Sequence, residues 1–385
     1  MKKRTKLIVA ITSIKRVIKV FTGPFLIAFI LNISEGSIVE LSIFNIIFYL
    51  IIGVTSFCLG FSLKKTSKLM YYKLGIAINI IVIGMLALGV NHLALIAFLL
   101  GVATAFYYMP FNIMISKLIA NNERPKFEAA VGMISTIIAV IIPVILGILI
   151  TITSFQTTAL LIAFLCLVQI VLALKLTDEE AVTRRSFNIK SFFNYIKNKK
   201  QVITILKMDM ISGLAWSGGL LELLATVLII YQFKTDFNLG LFTSLFALLS
   251  FLTYYIIGKL QSKYYKIVLI CTIIGCIINL IAIMSGLNLV TIIIYNIFVA
   301  TLLKAVSRIH VIRLFNITNK YHELDYYRTE YFVSREMILN TGRVLGFILL
   351  LVIGLLGDFY LIKSAIALIS IFIVIVCIMG MSIRD

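Results

Sequence analysis

Acidic residues are scarce. Sixteen Asp and Glu stand against 35 Lys and Arg in a chain of 385 residues, and charged residues of both signs make up only 13%. A soluble domain carries about 25% charged and about 45–50% apolar residues. A chain that is 61% hydrophobic, with mean hydropathy +1.10, therefore reads as a membrane protein. No G-x-x-x-x-G-K-[ST] phosphate loop occurs, which excludes ATP binding in that mode. His92, His310 and His322 form no H-E-x-x-H, and Cys58, Cys166, Cys271, Cys276 and Cys377 lack paired metal-ligand spacing. No metal or other cofactor is expected, and the cysteines read as buried or lipid-facing thiols. A cleaved signal peptide is not expected either, because the first apolar stretch carries Lys15, Arg16 and Lys19 and has no small-residue cleavage site.

What is present is a series of long apolar runs. About 20 residues cross ~30 Å of hydrocarbon, and twelve runs of that order lie near 7–33, 38–63, 71–90, 93–116, 128–151, 154–174, 204–232, 237–258, 266–285, 289–312, 331–356 and 359–382. They are continuously apolar rather than alternating, which excludes a β-barrel. The expected fold is all-α and polytopic, with twelve transmembrane helices.

The segments between them alternate in charge. One set, from Lys2–Lys6 through Lys175–Lys200 to Arg384, holds 27 Lys or Arg; the other holds Lys234 and Lys363. Basic loops stay cytoplasmic, so both termini are expected inside. The abundance of Ile, Lys and Asn is that of an AT-rich bacterial genome, for which the plasma membrane is expected. The +19 net charge is then topology, and no nucleic-acid partner is expected.

Residues 1–174 and 204–385 each hold six of the helices, and 175–203, with Asp178, Glu179 and Glu180 among its basic residues, reads as a cytoplasmic linker. The halves repeat at matching positions. GFSLKKTSKLMYYK from Gly60 answers GKLQSKYYK from Gly258, and RPKFEAAVGMI from Arg124 answers RTEYFVSREMI from Arg328. Two six-helix pseudo-repeats in parallel orientation follow.

With twelve helices, 6 + 6 halves and a basic central loop, the chain resembles the major facilitator superfamily of transporters. Gly60, Lys65 and Lys68 fit that family's loop G-x-L-x-D-R-x-G-R-K, while Lys64 stands at its Asp and Ser67 at its second Gly. In helix 5 the family's drug antiporters carry G-x-x-x-G-P-x-x-G-G; Pro143 and Gly147 are kept, and Ile138 and Ile142 replace two glycines. The resemblance implies secondary transport of a small-molecule substrate by alternating access; a coupling proton is expected from Glu222, the only clear midplane acid, and the carrier is expected to be monomeric.

Charges inside apolar runs are the candidate site, because a charge at the bilayer centre costs roughly 2.5–3.5 kcal/mol on insertion scales and must face protein or water. Glu222 lies ten residues before Gln232, about 15 Å from the end of helix 7, on a stripe with Ala215, Gly218, Gly219 and Thr226. In helix 11, Glu336, Asn340, Arg343 and Phe347 share one stripe. Helices 7 and 11 are neighbours in the resembled fold, so Glu222 is expected to meet Arg343. It then either binds a proton or cationic cargo, or forms a static lock.

Trp216, Tyr107 and Tyr108 are candidate cargo contacts, each weighed against core packing. Pro24, Pro110, Pro143 and Gly147 are candidate gating positions, with kinks expected at Pro24 and Pro110. Lys15, Arg16 and Lys19 are expected to snorkel, in preference to forming a basic wall for an anionic substrate. Lys207, Asp209 and Arg335 are expected at an interface, and Lys304, Arg308 and Arg313 at a basic cytoplasmic end. The stretch HELDYYRTE from His322 reads as a solvated loop. The leading function is a transporter exporting a drug-like or metabolite molecule. The alternatives are a permease subunit driven by a separate ATPase, and a membrane sensor or enzyme.

Overall fold

The computed structural model describes residues 3–63, 66–118, 124–176, 187–320, 326–356 and 361–383, and no strand occurs among them. Among the described residues, twelve helical spans are long and apolar enough to cross a membrane: span 1 (Thr5–Ile33), span 2 (Ile38–Ser62), span 3 (Lys68–Ala87), span 4 (Leu93–Met114), span 5 (Val131–Ile152), span 6 (Phe155–Leu174), span 7 (Lys200–Phe233), span 8 (Asp236–Lys259), span 9 (Ser262–Ser285), span 10 (Leu289–Leu314), span 11 (Arg328–Leu355) and span 12 (Ile362–Ser382). Isoleucine and leucine along their outer faces stay exposed, Ile141, Leu161, Ile274 and Ile371 among them. Such faces suit lipid rather than water.

The helices cluster into two compact units. One comprises residues 1–36, 47–187 and 235–244; the other comprises 37–46, 188–234 and 245–385. In the first, Ile8, Ile11, Tyr72, Ile76, Tyr107 and Met114 form a buried core. Gly75 lets span 3 approach the backbone of span 4, since a Cβ there would lie 2.7 Å from the Tyr107 nitrogen. Span 1 leaves helical geometry at Gly23 (φ −102°, ψ −107°), where Pro24 removes a backbone donor, so the expected kink is present. Pro110 sits inside one continuous helix, Leu93–Leu118. Pro143 and Gly147 pack against the start of span 8: a Cβ on Gly147 would meet the Asp236 carbonyl at 2.6 Å, and one on Gly240 would run into the Pro143 carbonyl.

Lys64 and Lys65, and residues 322–325 of the HELDYYRTE stretch, lie outside the described residues. Ser67, at the family loop's second glycine position, caps span 3 by accepting from the Met70 N–H. Lys15 does not snorkel. It is 7% exposed, its Nζ donates to Asn79 Oδ1 at 3.4 Å, and it stands 5.1 Å from the centre of the Tyr107 ring. Its four-carbon stem is taken up by the core between spans 1, 3 and 4 instead of reaching for lipid phosphate. Lys19, one turn on, is exposed.

Candidate functional site

In the second unit, span 7 is two helices, Lys200–Ala215 and Leu220–Phe233, separated by Trp216–Gly219. The local cause is the Gly218-Gly219 pair. Gly218 has φ +70°, which is left-handed backbone that glycine adopts at little cost. At Gly219 a Cβ would run into the carbonyls of Gly213 and Leu214. The stripe expected from Ala215 to Thr226 presumes an unbroken helix and is not formed as such, because both glycines are spent on the turn.

Glu222 sits in the first turn of the second segment. Its Oε2 accepts from the Gly218 N–H at 3.0 Å, at the helix end where free N–H groups and the dipole favour an anion. Its Oε1 is ion-paired with Lys304. Lys304 follows a wide turn, Val299–Leu303, in span 10; such bulges widen a helix locally and recur at functional positions. Tyr295, earlier in span 10, donates its hydroxyl to the Leu221 carbonyl at 2.9 Å and ties span 10 to the same turn of span 7. Lys304, expected in a basic cytoplasmic end, is thus ion-paired and 26% exposed, and Arg313, expected there too, is buried and donates to the Gly380 carbonyl at 2.7 Å.

Arg343 addresses the other side of the break. Its Nε donates to the Ser217 carbonyl at 2.7 Å and its Nη1 to Asn340 Oδ1 at 2.8 Å. Asn340 Nδ2 donates in turn to the Glu336 carbonyl at 2.7 Å and to Glu336 Oε2 at 3.5 Å. The polar members of the span 11 stripe are thus hydrogen-bonded to one another, and Phe347, its apolar member, is buried. Glu222 and Arg343 converge on adjacent residues of the broken turn, Gly218 and Ser217. Trp216, beside them, is 2% exposed and part of the core. Tyr107 and Tyr108 belong to the other unit; Tyr107 is buried and accepts from the Tyr72 hydroxyl at 3.3 Å.

A second cluster went unread in the sequence. Asp209, expected near an interface, does not face solvent. Its side chain is 1% exposed and lies 2.9 Å from His310 Nε2, with Arg335 Nε at 3.1 Å and Nη2 at 3.3 Å. It ties spans 7, 10 and 11 together. Glu330 is likewise buried and accepts from the Asn188 N–H at 3.2 Å, which corrects its assignment to a solvated loop.

The two clusters differ in access. The Lys304 and Glu222 side chains are 26% and 29% exposed; in the other cluster the acid is sealed, with Asp209 at 1% and His310 at 6%, while Arg335 is 22% exposed. An ion pair open to solvent can exchange one partner for a ligand or a proton; a sealed one acts as a strut. Spans 7 and 11 meet backbone to backbone, for a Cβ on Gly213 would run into the Leu339 carbonyl, one on Gly342 into the Met210 carbonyl, and one on Gly346 would lie 2.9 Å from the Leu214 carbonyl. Small residues make this approach possible, and Gly342 and Gly346 carry it from the span 11 side.

The sequence profile described as Major Facilitator Superfamily matches residues 8–313. An uncharacterized protein of Bacillus subtilis (strain 168), YqgE, is 23% identical over 337 residues, covering 84% of this chain and 77% of its own. Among solved structures, the nucleoside transporter NupG superposes with TM-score 0.75 at 11% identity over 100% of both chains. A bacterial homologue of the iron transporter ferroportin, in an inward-facing state, gives 0.66 at 14% identity over 98% of this chain and 97% of its own.

Proposed function

The chain belongs to the major facilitator superfamily and is a multi-pass membrane transporter, and from that premise we propose that it exports a small drug-like or metabolite molecule by alternating access, with Glu222 as the group that exchanges a proton or cationic cargo. The two halves, residues 1–174 and 204–385 joined by 175–203, alternate access in the plasma membrane, with both termini cytoplasmic and the carrier monomeric.

The observation that supports this reading is the half-open Glu222–Lys304 pair at the break of span 7. A carboxylate at a helix discontinuity has a fixed N–H partner, Gly218, that stays in place when the ammonium leaves. Discontinuous helices of this kind form the binding sites of many secondary transporters. With Lys304 on Oε1, Glu222 is ion-paired; when span 10 withdraws Lys304, a proton or a cation takes the place of the ammonium. Gly218 and Arg343 hold the broken turn in both conditions. Export is the direction favoured by Pro143 and Gly147, the positions shared with the drug antiporters of the family.

The test begins with a thermal-shift panel of nucleosides, divalent metal ions and lipophilic organic cations, the first two taken from the cargo of the structural relatives. The stabilising compound is then followed in proteoliposomes under an imposed pH gradient. Glu222→Gln is expected to abolish gradient-driven movement while elution profile and Trp216 fluorescence stay those of the wild type. Transport by Glu222→Gln at the wild-type rate would overturn the assignment.

A further inference from the structure

Beside span 7, within the second unit, lies a groove that the transport reading does not use. The short helix Ile189–Ile196 is capped by Asn188, whose side chain accepts from the Ser191 N–H. It buries Phe192 and Ile196 and leaves Phe193 45% exposed. Between this helix and spans 7 and 11 is a cavity of about 400 Å³ walled by apolar side chains such as Ile196, Leu206, Met210 and Ile338, within the range of ligand clefts. Among the described residues, the polar side chains lining it are Lys197 and Lys207, both exposed.

Charge is one-sided here. From 189 to 208 the chain carries Lys190, Lys197, Lys199, Lys200 and Lys207 and no Asp or Glu. The next acid, Asp209, is sealed against Arg335 and His310. Two walls of the groove are membrane spans, and the third is an amphipathic helix with an outward phenylalanine. That is the pattern of a segment lying in a membrane interface. An occupant must bring an apolar tail for the groove and a negative group for the lysines.

We propose that this groove binds an anionic phospholipid, with one acyl chain against Leu206, Met210 and Ile338 and the phosphate held by Lys197 and Lys207. A lysine stem packs on apolar surface while its ammonium reaches the headgroup. Basic residues next to a bilayer favour anionic lipids by about fivefold in affinity each. Zwitterionic lipid offers the same tails without the net charge and is held correspondingly less.

The experiment is native mass spectrometry of the full chain in detergent with equal dioleoyl phosphatidylglycerol and dioleoyl phosphatidylcholine. The expected result is retention of the phosphatidylglycerol by roughly 25-fold over the phosphatidylcholine, about fivefold for each of two lysines. Lys197→Gln with Lys207→Gln, both at exposed positions, is expected to bring the two lipids close to parity. Met210→Trp, which fills the groove and leaves the charges, is expected to lower retention of both. Equal retention by the wild type would overturn the proposal. So would a double variant that still prefers phosphatidylglycerol, or a Met210→Trp variant that holds it as the wild type does.

Discussion

Removing the Asp209 carboxylate strands two groups at once. Arg335 loses both of its bonds to it, at 3.1 and 3.3 Å, and His310 Nε2 loses a partner at 2.9 Å. Breaking a buried pair costs about 3–5 kcal/mol because the surviving charge is left uncompensated. Arg335 keeps 22% exposure, so water recovers part of its solvation, and Asp209→Ala is expected near the lower end, about 3 kcal/mol. Asp209→Asn retains the volume and one acceptor oxygen and is expected to cost about 2 kcal/mol. Trp216, the only tryptophan, lies seven residues further along span 7 and reports unfolding by its own fluorescence during denaturation in detergent. The decisive variant is Asp209→Leu with Arg335→Met, which removes both charges and is expected to recover to within about 1 kcal/mol of the wild type. If Asp209→Ala loses less than about 1 kcal/mol, or the double variant is as unstable as the two single losses added, the cluster does not hold these spans by compensated charge.

Three further expectations concern packing and burial. Gly342→Ala drives a methyl into the Met210 carbonyl, forces spans 7 and 11 apart and is expected to cost about 1–3 kcal/mol or more. Gly132→Ala meets nothing within 4 Å and is expected to gain about 0.5–1 kcal/mol; the same denaturation assay compares them, and an equal response from both would contradict the seam. Lys15→Met is expected to leave stability unchanged or to raise it, because the ammonium has only a long bond to Asn79 and a ring contact to offset its burial; a loss above about 2 kcal/mol would make Lys15 a structural group. Ser67→Ala removes the cap of span 3 and is expected to cost about 1 kcal/mol, which hydrogen exchange at Lys68–Met70 would register as faster opening; unchanged exchange would mean the cap contributes nothing.

The twelve spans were legible because crossing hydrocarbon demands a run of apolar residues that nothing else in a chain requires. The span 11 stripe was legible for a similar reason: Glu336, Asn340 and Arg343 are near in sequence, and helical spacing alone brings them into hydrogen-bonding range. The partners of Asp209 and Lys304 were not legible because each residue was weighed only by its position near the end of an apolar run. Their partners, His310, Arg335 and Glu222, are 82 or more residues away in sequence, where no local period reaches. The break in span 7 did have a signal, the consecutive Gly218 and Gly219, but the same residues read equally well as a small-residue packing face. Only the left-handed φ at Gly218 separates the two.

The glycine seam limits how the transporter can move. Where main chain touches main chain there is no cushion of side chains to shear, so the Lys200–Ala215 segment of span 7 and span 11, with Arg343, are expected to move together. Span 10 is different: its extra-wide coil at Val299–Leu303 immediately precedes Lys304, and letting out or taking in a single residue there would swing the ammonium toward or away from its acid. In the cycle proposed above, the stroke that parts Lys304 from Glu222 would fall to this one helix with slack in it, against a stiffer pair.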